Sequence, residues 1–270
     1  PDLDQIYMQA VQSLTGRGGW PMSVFLTNEG EPFFGGTYWP PHARQGMPGF
    51  DQVLHAVSDA WQNQHDKIAE QAARLTASLA IDRTPASETL DPLAILEAAA
   101  AALERAYDAT HGGFGGPPKF PHPLEIRLCL RLARWHGREN LMHMALHSLD
   151  QMAAGGVYDQ LGGGFHRYAV DAHWLVPHFE KMLYDNALLA GCYLEAFLAT
   201  GQDRYREIVI ETLDYTLREM QHPDGGFYST QDADSEGVEG KFFVWSLEEI
   251  NETLDKDSAD LVCAFYNVTA

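Results

Sequence analysis

Apolar residues recur at helical spacing from the start of the chain. Leu3, Ile6, Tyr7, Ala10, Val11 and Leu14 share one face and predict a helix over 2–15, ended by glycines at 16, 18 and 19. After Trp20-Pro21, Met22 to Thr27 is a short apolar run of strand type. Asn28-Glu29-Gly30 has turn chemistry, and Pro32 to Tyr38 reads as a second strand. From Phe50, the positions Val53, Leu54, Val57, Trp61, Ile68, Ala72, Leu75 and Leu79 predict one long helix. The first 80 residues thus read helix, strand, turn, strand, helix.

Residues 81–90, with Asp82-Arg83-Thr84-Pro85-Ala86-Ser87 at their centre, read as a linker, and beyond them the pattern is mostly helical. Asp91 as N-cap and Pro92 at the first helical position start a helix to about Asp108. Further periodic segments fall near 123–136, 139–153, 177–199 and 203–221, with weaker ones near 246–254 and 258–267. Glycine-rich corners follow helices at Gly112-Gly113-Phe114, Gly155-Gly156-Val157 and Gly225-Gly226-Phe227, a loose repeat of helical hairpins. A hairpin-like insert, Val157 to Trp174, lengthens the interval between the last two corners.

Charge removes several function classes. The chain has 38 acidic against 18 basic residues, a net charge of −20 and a pI near 4.8. A polyanion would be repelled, so no nucleic-acid partner is expected, and polybasic contact with a membrane fails for the same reason. No apolar run approaches the roughly 20 residues of a spanning helix. The three cysteines, Cys129, Cys192 and Cys263, form no C-x-x-C and sit in apolar helical stretches, as buried inert thiols do. A reducing, cytoplasmic setting is expected.

Motifs for bound groups fail one by one. Gly162 to Tyr168 fits no dinucleotide fingerprint, and Gly113 to Lys119 misses the P-loop because Pro118 replaces the required glycine. Asp232-Ala-Asp-Ser-Glu-Gly237 opens like a calcium loop but has Phe243 at the twelfth position. His143 and His147 lack the glutamate of a zinc helix. No cofactor and no metal-ligand set are therefore expected.

The densest reactive cluster is Pro177-His-Phe-Glu-Lys-Met-Leu-Tyr-Asp-Asn186. With Pro177 as the first helical residue, His178, Lys181 and Asp185 share a face, while Glu180 points elsewhere. His178 is a candidate acid or base and Asp185 a candidate orienting group. A capped helix with a Lys181–Asp185 surface pair meets the same spacing. Asp232 and Asp234 would share a face on a strand and could act as paired carboxylates; solvated turn acids are the alternative. His166 and Arg167, delivered by the glycine hairpin, and Lys119 are candidates for the rim of a pocket.

The residues Gly16 to Thr27, with Pro32-Phe-Phe-Gly-Gly-Thr-Tyr-Trp-Pro-Pro41, resemble a thioredoxin-like family of unknown function that includes a spermatogenesis-associated protein. The resemblance continues through Phe114 to Pro121, Gly155 to Asp171, Trp174 to Ala187, Gly225 to Glu236 and Glu239 to Trp245. It implies a mostly α protein in which a partial thioredoxin-like α/β unit over 1–80 precedes a partial (α/α) toroid over 91–270. That toroid is like those of six-hairpin glycosidases and N-acylglucosamine 2-epimerases. The first half of the thioredoxin unit and several toroid helices are missing, so an internal fragment is expected. By the same resemblance the Trp20–Pro21 bond is expected cis, as at the redox face of a thioredoxin. Helix-end corners would gather around one cavity lined by Phe114, Tyr158, Phe165, Trp174 and Phe227. His178, Glu180, Asp185, Asp232 and Asp234 are the catalytic candidates. Asp159, Tyr168, Asp171, Trp174, Lys181 and Asn186, in the matching blocks, join Lys119, His166 and Arg167 as candidate binders of a sugar-like ligand. The expected function is carbohydrate-active, an isomerase or epimerase or a hydrolase. The alternatives are a redox or chaperone-like protein whose cysteine motif lies outside the chain, and a binding module without turnover.

Overall fold

The computed structural model describes residues 2–44, 46–79 and 91–269. They fall into two compact units, Pro1–Leu90 and Asp91–Ala270. The expected linker, 81–90, lies outside the described residues.

In the first unit, helix α1 (Asp2–Thr15) buries Ala10 and Val11, the middle of its apolar face. Strands β1 (Ser23–Leu26) and β2 (Pro32–Gly36) pair antiparallel, with Phe25 opposite Phe34 and an irregularity before Leu26. The Thr27 hydroxyl fixes the turn by accepting from the N–H groups of Glu29 and Glu31. A side chain at Gly35 would press on Val11 and the Ser23 carbonyl, both 3.1 Å from its Cβ, so glycine lets α1 lie on β2. The Trp20–Pro21 bond is cis, as expected.

The helix expected to run unbroken from Phe50 is two: α2 (Phe50–Asn63) and α3 (His65–Leu79). Gln64 leaves the helical region at φ −137° and ψ 28°. Around it, Asn63, His65 and Asp66 are weak helix formers, and the Asn63 side chain turns back to donate to the Asp59 carbonyl. Spacing of apolar positions does not register such a break.

The second unit opens with α4 (Pro92–Ala106), where the Asp91 carboxylate accepts from the Leu93 N–H. Two helical hairpins follow. Helices α5 (Pro123–His136) and α6 (Glu139–Ala154) are joined at Gly137, and α7 (Leu183–Thr200) and α8 (Asp203–Tyr215) at Gly201. Both glycines cap their helix in the left-handed region, at φ 65° and 70°, a conformation costly for other residues. Each hairpin packs on itself, and the first helices, α5 and α7, pack together, as in an arc of an (α/α) toroid. Ile126, Leu141, Leu149, Leu189 and Tyr193 fill the shared core with under 2% exposure. A π-helical turn, Thr216–Met220, extends α8, and α9 (Leu247–Thr253) and α10 (Lys256–Tyr266) come last. No helix among the described residues is long and apolar enough to cross a membrane.

Candidate active site

The stretch read as the first turns of a helix is extended, and this is the main correction to the sequence reading. Strands β3 (Tyr168–Ala169) and β4 (Pro177–His178) pair, as do β5 (Lys181–Met182) and β6 (Thr230–Gln231). The Arg167 N–H donates to the Glu180 carbonyl at 2.8 Å. Residues 177–182 thus satisfy their backbone through partners up to about fifty positions away, and α7 starts only at Leu183. His178, Lys181 and Asp185 do not share a helical face. Extended geometry instead brings Glu180 back to His178.

His178 lies between two carboxylates. Its Nδ1 is 2.6 Å from Glu239 Oε1, and its Nε2 is 3.6 Å from Glu180 Oε2. The ring stacks on Tyr168 with centroids 4.8 Å apart, and Tyr168 in turn packs on the exposed Phe120. Glu180 is held in place by Arg167, whose Nη1 donates at 2.9 Å, and by the Thr230 hydroxyl at 3.0 Å. The imidazole is 25% exposed, which leaves an edge open to a ligand.

Asp185 is 8% exposed, and its Oδ2 has no hydrogen-bond partner. Burial pushes its carboxyl up to about 6; the Glu180 charge adds to this and the Arg167 guanidinium opposes it. His178, Glu180, Arg167, Tyr168 and Asp185 therefore form one neighbourhood.

Asp232 and Asp234 are exposed and do not lie on one strand. Asp232 Oδ1 accepts from the Asp234 N–H at 3.1 Å, so a local turn replaces the expected alternation. Strand β7 (Asp234–Ser235) pairs with β8 (Val238–Glu239), placing Asp234 opposite Glu239. The carboxylate that this loop delivers to His178 is Glu239. Sequence reasoning gave Glu239 no role, although it heads one of the blocks that carried the family resemblance.

Several candidate binders are internal struts. Lys119, expected at a rim, is fully buried; its Nζ donates to Asp108 Oδ2 at 2.6 Å and to the Ala172 carbonyl at 3.2 Å. Lys181, read as a surface or pocket cation, is 1% exposed and donates to Asp159 Oδ2 at 2.7 Å and to the Gly163 carbonyl. Asp171 accepts from the N–H groups of His173, Leu175 and Val176. Trp174 is fully buried and donates to the His111 carbonyl, and the Asn186 amide clamps both backbone groups of Phe165. In each case the partner comes from a distant or irregular segment, which residue type and spacing do not encode.

His166, expected at the rim, is 2% exposed, with Nδ1 3.0 Å from the Phe179 carbonyl. Burial, helped by the Lys181 charge, holds its imidazole down to about 4, so it is neutral at physiological pH. Of the aromatics expected to line a cavity, Phe114, Phe165 and Trp174 are core residues and Phe227 is exposed. Only Tyr158 lines the cavity of about 730 Å3, together with Phe179, Phe243, Trp245 and His166. His178, Glu180 and Asp185 are not in its walls.

A hairpin-and-helix unit followed by helical hairpins with glycine corners makes this a two-part, mostly α chain. Residues 1–80 match the model of the Thioredox_DsbH family, described as "Protein of unknown function, DUF255". Over 94% of its length the chain is 39% identical to human "Spermatogenesis-associated protein 20". It is 34% identical, over the same share, to "Uncharacterized protein B0495.5" of Caenorhabditis elegans. The chain spans 34% and 36% of those relatives, about a third of their length. Similar solved structures include a cellobiose 2-epimerase from Spirochaeta thermophila, 20% identical with a TM-score of 0.43, covering 54% of this chain and 42% of that one. Another is the cellobiose 2-epimerase of Bacillus thermoamylovorans, 10% identical with a TM-score of 0.46, covering 64% and 53%.

Proposed function

We propose that this chain carries an acid–base site for a sugar-like ligand, with His178 as the group that moves the proton in an isomerase or epimerase reaction. The observation that carries this reading is the half-open imidazole between Glu239 and Glu180. Glu239 accepts from Nδ1–H, which fixes the tautomer and leaves Nε2 as the base. The C–H bond beside the sugar carbonyl breaks, its electron pair enters an enediolate, and the proton goes to Nε2. The resulting imidazolium is stabilised by both carboxylates, and the Arg167 cation faces the enediolate charge. Return of the proton to the other face of C2 completes an epimerisation; its return to the former carbonyl carbon, with the C2 hydroxyl proton passing to the former carbonyl oxygen, completes an isomerisation. The Phe120–Tyr168 ledge beside the imidazole suits the apolar face of a sugar ring.

The test is exchange of the C2 hydrogen of D-glucose, D-mannose and cellobiose with D2O, followed by NMR. His178→Ala is expected to slow exchange by about 100-fold or more, the usual scale of general acid–base catalysis, with the unfolding midpoint unchanged. Absence of exchange with every sugar, or equal exchange in the variant, counts against the reading.

A second reading is favoured by Asp185. A carboxyl raised to about 6 suits the general acid of a glycoside hydrolase. Hydrolysis of an aryl glycoside that survives His178→Ala but not Asp185→Asn supports it. The redox alternative belongs to the whole protein. Here burial pushes the thiols of Cys129 and Cys192 up to about 12, which leaves both unreactive.

A further inference from the structure

The second unit holds a cavity of about 730 Å3 that the carbohydrate reading leaves unused, since His178, Glu180 and Asp185 lie outside its walls. Three separate stretches close around it: the corner after α6, the run from Leu175 to Phe179, and the chain from Phe243 through α9 and α10. Small-molecule sites have this size, with apolar walls and a few placed polar groups. Here Tyr158, Phe179, Phe243, Trp245 and Tyr266 make most of the wall aromatic.

The polar side chains deep in the wall are already spent, with one exception. The Tyr158 hydroxyl donates to Glu211, and the Asp159 carboxylate accepts from Lys181 Nζ at 2.7 Å. The Gln160 amide donates to the carbonyls of Ala153 and Gly155. His166 is the exception. Its Nδ1 is 3.0 Å from the Phe179 carbonyl, which can only accept, so the proton of the neutral ring sits on Nδ1 and Nε2 keeps its lone pair. Nε2 meets no partner among the described residues, yet it is not one of the sealed, unpartnered atoms. The cavity that His166 lines therefore reaches it. Phe179 and Phe243, stacked with centroids 5.6 Å apart, both meet the imidazole nearly at right angles and fix its direction.

A water on Nε2 would gain one bond where buried water usually makes about three, and the rings of Phe179 and Phe243 beside it offer none. Such a water is readily displaced by a better-fitting group. An anion would set its charge against a lone pair, and an ammonium would give up its hydration for a single acceptor. The structure assigns to this cavity a neutral aromatic molecule that packs on the ring-lined walls and donates one O–H group to His166 Nε2. This ligand site is separate from the one around His178.

1-Naphthol is the probe. 1-Methoxynaphthalene keeps the rings without the donor, and 1-naphthoate replaces the donor with an anion. Calorimetric titration of the full chain is expected to show 1-naphthol binding roughly tenfold tighter than the methoxy compound, the scale of one net hydrogen bond. 1-Naphthoate is expected not to bind. Val262→Trp, in the α10 wall, fills the cavity and is expected to abolish naphthol binding without lowering the unfolding midpoint. His166→Phe removes the acceptor and is expected to bind both neutral compounds equally. The comparison of ligands uses the unmodified chain, so a fold defect in either variant leaves the test decisive. No naphthol binding, equal affinity for the two neutral compounds, preference for naphthoate, or full binding by folded Val262→Trp each overturns the assignment. None of these outcomes bears on sugar exchange at His178, so the two readings fail independently.

Discussion

Lys181→Met is expected to remove roughly 3–5 kcal/mol of stability, the cost of leaving a buried charge without its partner. The Lys181 ammonium is 1% exposed and lies 2.7 Å from Asp159, 2.9 Å from the Gly163 carbonyl and 4.2 Å from the centre of the Tyr215 ring. Asp159 is itself only 14% exposed. Burial would raise its carboxyl, but Lys181 and the N–H groups of Gly162 and Leu161 outweigh burial and hold it below its ordinary value. Without the ammonium, both oxygen acceptors lose their main donor. The double variant Lys181→Met, Asp159→Leu removes both charges and should recover a large part of the loss. Urea unfolding of the single and double variants measures the coupling. A single-variant loss under about 1 kcal/mol would place the pair with ordinary surface bridges.

Asp185→Asn is expected to do the opposite at neutral pH and stabilise the fold. The carboxyl titrates near 6 when folded, against an ordinary 3.8. That difference corresponds to a burial cost of roughly 3 kcal/mol at 1.36 kcal/mol per pH unit. The sign follows from proton binding. Below 3.8 the acid is protonated whether folded or unfolded and costs nothing; between 3.8 and 6 the cost grows, and above 6 it is complete. The wild type should therefore gain on the variant as pH falls from 7 to 4. His166 opposes this trend in both proteins: its folded value of about 4 lies below the ordinary 6.5. Its contribution is present above 6.5 and is lost as pH falls toward 4. The difference between wild type and variant, not either curve alone, isolates Asp185. A variant no more stable than wild type at pH 7 would mean that the carboxyl is already satisfied.

Local signals carried much of the fold into the sequence. Asp91-Pro92 marked α4, and the facing apolar runs around Asn28-Glu-Gly30 marked β1 and β2. Glycines 137 and 201 stand at the ends of α5 and α7, where the periodicity stops. Non-local pairing is what escaped. The run from Pro177 to Met182 has a helix-like spacing of charges, yet Tyr168 and Gln231, on other segments, decide its backbone. Lys119 and Lys181 read as solvent-facing cations because their acceptors, Asp108 and Asp159, stand 11 and 22 positions away. For the site, His178, Glu180 and Asp185 were legible as reactive types in a dense run. Glu239 was not, since a glutamate on a short hairpin acquires meaning only when that hairpin folds over an imidazole.

The Lys119 ammonium touches two chain segments at once, Asp108 beyond the end of α4 and the carbonyl of Ala172 in the stretch that leads to His178. Its own backbone pairs with Ala169, the neighbour of the tyrosine on which His178 stacks. The glycine-rich corner is therefore stitched from inside, and the segment bearing His178 cannot swing out without drawing a lysine charge from the interior. Opening of this corner belongs to the slow, global class of fluctuations and not to the fast loosening usual for loops. The exposed edge of the His178 ring is accordingly presented to solvent by a scaffold that stands still behind it.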